Sequence, residues 1–163
     1  SLAHESRIEI ACLRQQIIFM SKELTPVELS QEQLQELVHT AQQAATMAYA
    51  PYSNKPEGAA LLTASGAIYS GASVEFATYG GSVSADVACL IKAINHGDKK
   101  IVALCIQPFG YPSGVVRQFY AEFGIDLSLV VPGPEDTLEL KSWTTLLPYH
   151  FGPDNLEEAK NLA

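Results

Sequence analysis

A helical spacing of apolar side chains marks the first clear element of the chain. Ser30 and Gln33 have the residue types and separation of a capping box, in which each side chain bonds the backbone N–H of the other residue. After them the apolar positions recur every three or four residues, at Leu34, Leu37, Val38, Ala41, Ala44, Ala45 and Ala48. The pattern predicts an amphipathic helix that begins just after Ser30.

Two apolar runs follow the helix. Gly58–Thr63 and Ala67–Val74 read as strands, and the turn Ala64-Ser65-Gly66 between them has a glycine available for positive φ. These two runs therefore predict a β-hairpin.

The next segments alternate between helix and strand. Ser82–Asn95 reads as a buried helix, Ile101–Gln107 as a covered strand, Ser113–Phe123 as a helix after a proline, and Leu127–Val131 as a strand. A proline- and glycine-rich stretch at 132–136 reads as a turn. The sum is an α/β fold, with one sheet flanked by helices.

Composition restricts the class of protein. A chain of 163 residues with 47% hydrophobic and 17% charged residues suits one compact domain. The formal net charge of −8 disfavours nucleic acid as a partner, because such binding needs clustered Lys and Arg, and Lys99-Lys100 is only a pair. The apolar runs are too short to span a membrane.

The N-terminal segment has a separate pattern. Residues 1–28 read as an extension in which Ile8, Leu13, Ile17 and Met20 could line one helix face, ahead of a domain over 29–163. Charged residues interrupt this segment, which argues against a signal peptide. Three unclustered cysteines, Cys12, Cys89 and Cys105, favour reduced thiols and a cytoplasmic location.

Three longer segments carry a family resemblance. They are AYAPYSN at Ala48–Asn54, GASVEFATY at Gly71–Tyr79 and LLPYHFGP at Leu146–Pro153. Together they resemble the small homotetrameric cytidine deaminases, over about Gln33 to Asn155. The resemblance implies a three-layer α/β/α fold with a mixed central sheet, and a homotetramer.

The residues that hold zinc in that family are replaced here. The family opens one helix with Cys-Ala-Glu and another with Pro-Cys-x-x-Cys, so that three thiolates hold zinc and the Glu shuttles protons. This chain has Ser84-Ala85-Asp86 and Pro112-Ser113-Gly114-Val115-Val116, and Val87 stands where the family commonly has an Arg. Because neutral hydroxyls and valine are not zinc ligands, we expect a divergent member with no metal and no other cofactor.

The resemblance also implies that ionisable residues replace apolar ones at the edge of the pocket. The resemblance places Glu75 at the ribose, Ser73 where the family has an amide, and Lys55 and Glu57 where it has an aromatic and an aliphatic residue. The catalytic candidates are Asp86, Glu57, Lys55 and Tyr111. The candidates for binding a substrate are Ser73, Glu75, Tyr79, Ser84, Ser113 and Phe151, the last reaching a neighbouring subunit's pocket.

Simpler structural roles stay open for several of these residues. Lys55 and Glu57 can equally form a solvent-exposed pair at a loop edge. Ser84 and Asp86 are also good residues for capping a helix N-terminus. Tyr79 and Tyr111 could pack rather than line a pocket.

Three functions follow from these observations. We expect a zinc-free protein that does not deaminate cytidine and is a repurposed, non-hydrolytic, metal-independent enzyme acting on a small molecule by acid/base chemistry. The alternative is a non-catalytic protein that binds a ligand or a partner subunit, and the third possibility is residual deamination with a differently bound metal. The first is preferred because the replacements add ionisable groups as well as removing ligands.

Overall fold

A computed structural model describes residues 28–161 of the chain. Ten elements follow in order: α1 (Gln31–Ala45), β1 (Gly58–Thr63), β2 (Ile68–Ala72), α2 (Ala85–Asn95), β3 (Ile101–Gln107), α3 (Gly114–Ala121), β4 (Ser128–Pro132), β5 (Leu138–Ser142), α4 (Trp143–Leu146) and α5 (Pro153–Asn161). The predicted N-terminal helix and Cys12 lie outside the described residues.

The five strands form one mixed sheet in the order β2-β1-β3-β4-β5. β3 and β4 pair in parallel, and the other neighbouring strands pair antiparallel. The hairpin between β1 and β2 turns at Gly66, which has a φ of 87°. Glycine adopts this left-handed conformation without the steric cost of a Cβ atom, so the predicted hairpin is confirmed.

Helices cover both faces of the sheet. Ala60 and Leu62 of β1 pack in one cluster with the apolar face of α1. Their neighbours Ala59 and Leu61 point the other way, into a larger cluster with α2 and α3. Side chains alternate across a strand, so a central strand buried on both faces is apolar throughout. The expected three-layer α/β/α fold with a mixed central sheet is confirmed.

Local interactions explain the bounds of the helices. The capping box of α1 forms as predicted, since Ser30 and Gln33 each bond the other's backbone N–H. α2 begins at Ala85 rather than at Ser82, because Val83 exchanges two backbone hydrogen bonds with Val74 and stays extended. α3 is also shorter than predicted.

Three C-terminal elements were not predicted. β5 has the alternating sequence LELKS and returns from β4 through the predicted turn at 133–136. It lies at the edge of the sheet, and its polar residues interrupt the apolar pattern that would have predicted a strand. α4 is a single turn, and α5 is polar over most of its length. Among the described residues, no helix has the length and apolar character needed to cross a bilayer.

Candidate functional site

A cavity of about 630 Å³ opens where the sheet meets the beginnings of α2 and α3. The segment before β1, the end of β3 and the loop at 108–113 form its walls. Four catalytic candidates, Lys55, Glu57, Asp86 and Tyr111, line it together. The fold thus brings residues from three separate parts of the chain to one place.

Asp86 is the buried acid of this cavity, with only 5% of its surface exposed. Its Oδ1 accepts a hydrogen bond from the Ser84 hydroxyl and another, 2.9 Å long, from the Val87 N–H. Burial raises the pKa of Asp86 above its ordinary value, and these bonds from Ser84 and Val87 oppose the rise because they favour the ionised form. Burial and hydrogen bonding therefore act on Asp86 in opposite directions.

Buried side chains also hold the first turn of α2 in place. The Tyr120 hydroxyl donates to the backbone carbonyl of Asp86 at 2.8 Å, and the thiol of Cys89 donates to the same oxygen at 3.2 Å. Tyr120 is fully buried beside Trp143. The backbone that carries Asp86 is consequently anchored in the core.

Ser84 occupies the N-cap position of α2, but its side chain makes no capping bond to the helix backbone. Its hydroxyl is directed to Asp86 instead. The Ser84 side chain therefore does not cap the helix, whereas Asp86 accepts from the Val87 N–H in the first turn, so the capping alternative stays open for Asp86. Ser113 does cap α3, because its Oγ accepts from the Val116 N–H at 3.4 Å.

Glu57 is the second acid of the cavity. Partial burial raises its pKa, the negative charges of Asp86 and Glu75 raise it further, and Lys55 opposes them. Its backbone is held by Ser73, whose Oγ accepts from the Glu57 N–H at 3.1 Å while the Ser73 N–H donates to the Glu57 carbonyl at 2.9 Å. Two carboxyl groups with raised pKa values thus share one cavity.

Four predicted binding residues lie outside the cavity lining: Ser73, Glu75, Tyr79 and Phe151. Glu75 accepts hydrogen bonds from the backbone N–H groups of Tyr52 and Ser53, at 2.9 and 3.1 Å, and from the Ser53 hydroxyl. These bonds, led by the one from the Ser53 hydroxyl, lower its pKa. Tyr79 is fully exposed, and Phe151 is 60% exposed. Roles for these residues in binding remain predictions.

The loop at 108–113 was predicted only in part, through Tyr111 and Ser113. Pro108, Phe109 and Gly110 line the cavity next to Tyr111. Arg117 holds this loop, since its Nε donates to the Pro112 carbonyl and one terminal nitrogen donates to the Leu146 carbonyl, each at 2.9 Å. A turn-rich run directly after a buried strand is the signal that could have indicated it.

The two described cysteines, Cys89 and Cys105, are buried. Burial raises the pKa of Cys89 to about 12 and that of Cys105 to about 11. Thiols with such values stay protonated and are poor ligands and nucleophiles. Neither lines the cavity.

The donor set of the cavity does not fit zinc. The Ser84 hydroxyl is bonded to Asp86, Ser113 Oγ accepts from the helix backbone, and Val116 has no donor atom. Across residues 28–161 there is no group of three or more His, Cys, Asp or Glu side chains placed to hold a metal ion. Structural and catalytic zinc needs about three or four such ligands.

Comparisons with known proteins identify the relatives of this chain. A family model described as "Cytidine and deoxycytidylate deaminase zinc-binding region" matches residues 4–105. The probable cytidine deaminase of Dictyostelium discoideum is 34% identical over 133 residues, covering 78% of this chain and 90% of that protein. The cytidine deaminase of Halalkalibacterium halodurans is 32% identical over 130 residues, covering 76% and 98%.

Solved structures agree with the sequence relatives. The crystal structure of cytidine deaminase from Burkholderia pseudomallei has a TM-score of 0.64 and 32% identity, and the match covers 72% of this chain and 98% of that one. The structure of the enzyme from Mycobacterium tuberculosis has a TM-score of 0.65 and 31% identity, with 72% and 96% covered.

These relatives contradict the prediction of a protein that does not deaminate cytidine. Proteins alike over most of the chain are named cytidine deaminases, so the repurposed and the non-catalytic readings are both corrected. The error has a physical origin. Missing thiolates remove one way of activating water, but they leave the cavity and its acidic residues in place.

Proposed function

Because the chain belongs to the cytidine and deoxycytidylate deaminase family, we propose that it deaminates cytidine or a closely related aminopyrimidine nucleoside. The proposed site is the cavity at the beginnings of α2 and α3. The observation that carries the proposal is the pair of acids in this cavity, Asp86 and Glu57, both with raised pKa values. Asp86 stands where the resembled family has its proton-shuttling Glu.

The reaction adds one water to the base and releases ammonia. Asp86 takes a proton from the water as its oxygen bonds to C4 of the pyrimidine, and Glu57 donates a proton to the ring N3. The bond from C4 to the amino nitrogen then breaks, the leaving nitrogen takes the proton held by Asp86, and N3 keeps its own proton. The C4 hydroxyl gives its proton to Glu57 as the carbonyl forms, so cytidine and water become uridine and ammonia and both acids return to their starting forms.

Electrostatics support this division of roles. Hydrogen bonds from Ser84 and Val87 favour the ionised form of Asp86, which suits a base. Partial burial and the charge of an ionised Asp86 both raise the pKa of Glu57, which favours Glu57 as the acid of the pair. Two neighbouring acids with different environments separate into a base and an acid.

The proposed reaction does not use a metal, because the donor set does not fit one. Proton transfer by positioned side chains contributes roughly 10²- to 10⁴-fold to a rate. We therefore expect slow turnover, so the assay needs a high enzyme concentration and long incubation. The positive charge of Lys55 lowers the pKa of Glu57. Tyr111 has an exposed ring on which a base can stack.

We further propose a homotetramer in the cytoplasm, with the domain over 29–163 as its unit. Support comes from apolar side chains on the outer surface of α2 and α3. Ile91, Val115 and Phe119 are 51%, 63% and 46% exposed there. Phe151, also exposed, is the proposed contact with a neighbouring subunit's cavity.

The test measures ammonia and uridine formed from cytidine. We expect slow release by the native protein that a chelator leaves unchanged. Asp86→Asn and Glu57→Gln should each lower the rate at least about tenfold, because each removes one proton-transfer group. Glu36→Gln, an exposed position on α1, is the matched control and should keep the native rate.

Two results would contradict the proposal. Full activity in both cavity variants would exclude their acid and base roles. Activity that a chelator abolishes and added zinc restores would disprove the metal-independent mechanism, while it would leave the nucleoside substrate in place.

A further inference from the structure

The two serines that begin α2 and α3 use their hydroxyls differently. Ser113 accepts a bond from the backbone of α3, as an N-cap residue usually does. Ser84 has the same position on α2 and an extended backbone, with φ of −73° and ψ of 156°, yet makes no such bond. Its hydroxyl donates to the Asp86 carboxyl group.

This bond determines where the Asp86 carboxyl group points. The Ser84 hydroxyl and the Val87 N–H both reach the same oxygen, Oδ1. The other oxygen, Oδ2, is not engaged by either donor. A carboxylate held at one oxygen from two directions cannot rotate freely about its χ2 bond, so its second oxygen keeps a constant direction.

We propose that Ser84 is a positioning residue that orients the Asp86 carboxyl group for reaction. The inference rests on the proposed function, in which Asp86 takes a proton from water. Ser84 acts through Asp86 and has no proton-transfer role of its own. A cysteine at this position would be a weaker donor, so the serine suits a site whose base is a carboxylate.

Several charged or titratable groups surround Asp86. Glu57 and Lys55 face it from the segment before β1, and Cys89 and Tyr120 lie behind it on α2 and α3. Among these neighbours only Glu57 and Lys55 line the cavity. Removing the Ser84 hydroxyl leaves all four in place, so its effect on Asp86 can be measured separately.

The first experiment needs no turnover. The Asp86 pKa is measured by carbon NMR of the side-chain carboxyl group in the native protein and in Ser84→Ala, Ser84→Thr and Ser113→Ala. We expect Ser84→Ala to raise the pKa, because the bond to the ionised form is lost, and Ser84→Thr to keep it near the native value. Ser113→Ala, a cavity serine not bonded to Asp86, is the control and should not move it. An unchanged pKa in a folded Ser84→Ala variant would overturn the inference.

The second experiment is kinetic. Ser84→Ala should lower kcat for cytidine about tenfold with little change in KM, since a bond to an ionised group is lost at the reacting carboxylate. The acidic limb of its pH–rate profile should move to higher pH, and Ser84→Thr should recover both. In an Asp86→Asn background, Ser84→Ala should add almost nothing. Equal losses in both backgrounds would contradict the positioning role.

The two proposals fail in different ways. If the native protein releases no ammonia from cytidine, the proposed function is wrong, and the NMR titration still decides whether Ser84 controls Asp86. If turnover occurs but the Asp86 pKa is the same in Ser84→Ala as in the native protein, the proposed function stands and this inference is wrong.

Discussion

Asp86 lies in the proposed reactive cavity, and burying its charge costs free energy of folding. Burial raises its pKa, so the folded protein binds this proton more tightly than the unfolded chain does. The stability linked to this proton is fully present below the unfolded pKa, near 3.8, and is lost as pH rises through the higher folded value. At neutral pH the buried charge therefore lowers the stability of the fold.

Asp86→Asn should accordingly stabilise the protein while it lowers activity. Asparagine keeps the size of the side chain and carries no charge to bury. We expect a higher Tm than that of the native protein at pH 8, and a smaller difference at pH 4, by calorimetry across that range. A variant less stable at every pH would show that the bonds to Ser84 and Val87 outweigh the cost of burial.

At the scale of elements, close contacts determine how α2 lies on the sheet. Gly71 of β2 faces the helix, and a Cβ atom added there would lie 2.5 Å from the Cys89 backbone nitrogen and 2.8 Å from the Ala88 Cβ. The Ala85 carbonyl oxygen would lie 2.9 Å away, and because it and the Cys89 nitrogen are backbone atoms, the helix itself would have to move. The start of the same helix carries Asp86, so its placement also positions the acid.

Gly71→Ala should therefore destabilise the fold by about 1–3 kcal/mol, as expected for overpacking. Chemical denaturation measures the free energy of unfolding. Gly114→Ala is the control, because a Cβ at that position meets no atom within 4 Å. It should be neutral or slightly stabilising, since alanine restricts the unfolded chain. Equal losses in the two variants would show that the contact with α2 is not the cause.

The elements differ in how well the sequence predicts them. α1 has a capping box and a regular apolar face, and β1 and β3 are apolar runs buried on both faces, so local chemistry alone identifies them. The start of α2 is different, because the pairing of Val83 with Val74 is a tertiary contact that keeps the residues before the helix extended. β5 alternates polar and apolar residues at the sheet edge, where its own composition is a weak signal.

At the scale of the molecule, the candidate site could be predicted only in part. The four residues named as catalytic candidates do line one cavity, because each was placed by a family-like segment. The partner of the Ser84 hydroxyl and the loop at 108–110 depend on side-chain directions that spacing does not give. The prediction that the protein does not deaminate cytidine is wrong, because it rests on a few replaced ligands, while the similarity to cytidine deaminases extends over most of the chain.

The surface between α2 and α3 gives the last prediction. Val87, Leu90, Ile91, Ile94, Phe119 and Phe123 form an apolar groove there. An exposed groove of this kind favours association, so the proposed tetramer should depend on it. Phe119→Asp should shift the protein toward smaller species in native mass spectrometry, because a charge would be buried on assembly. Leu156→Asp, an exposed apolar position on α5, is the control and should stay tetrameric. A Phe119→Asp tetramer as stable as the native one would place the subunit contacts on another surface.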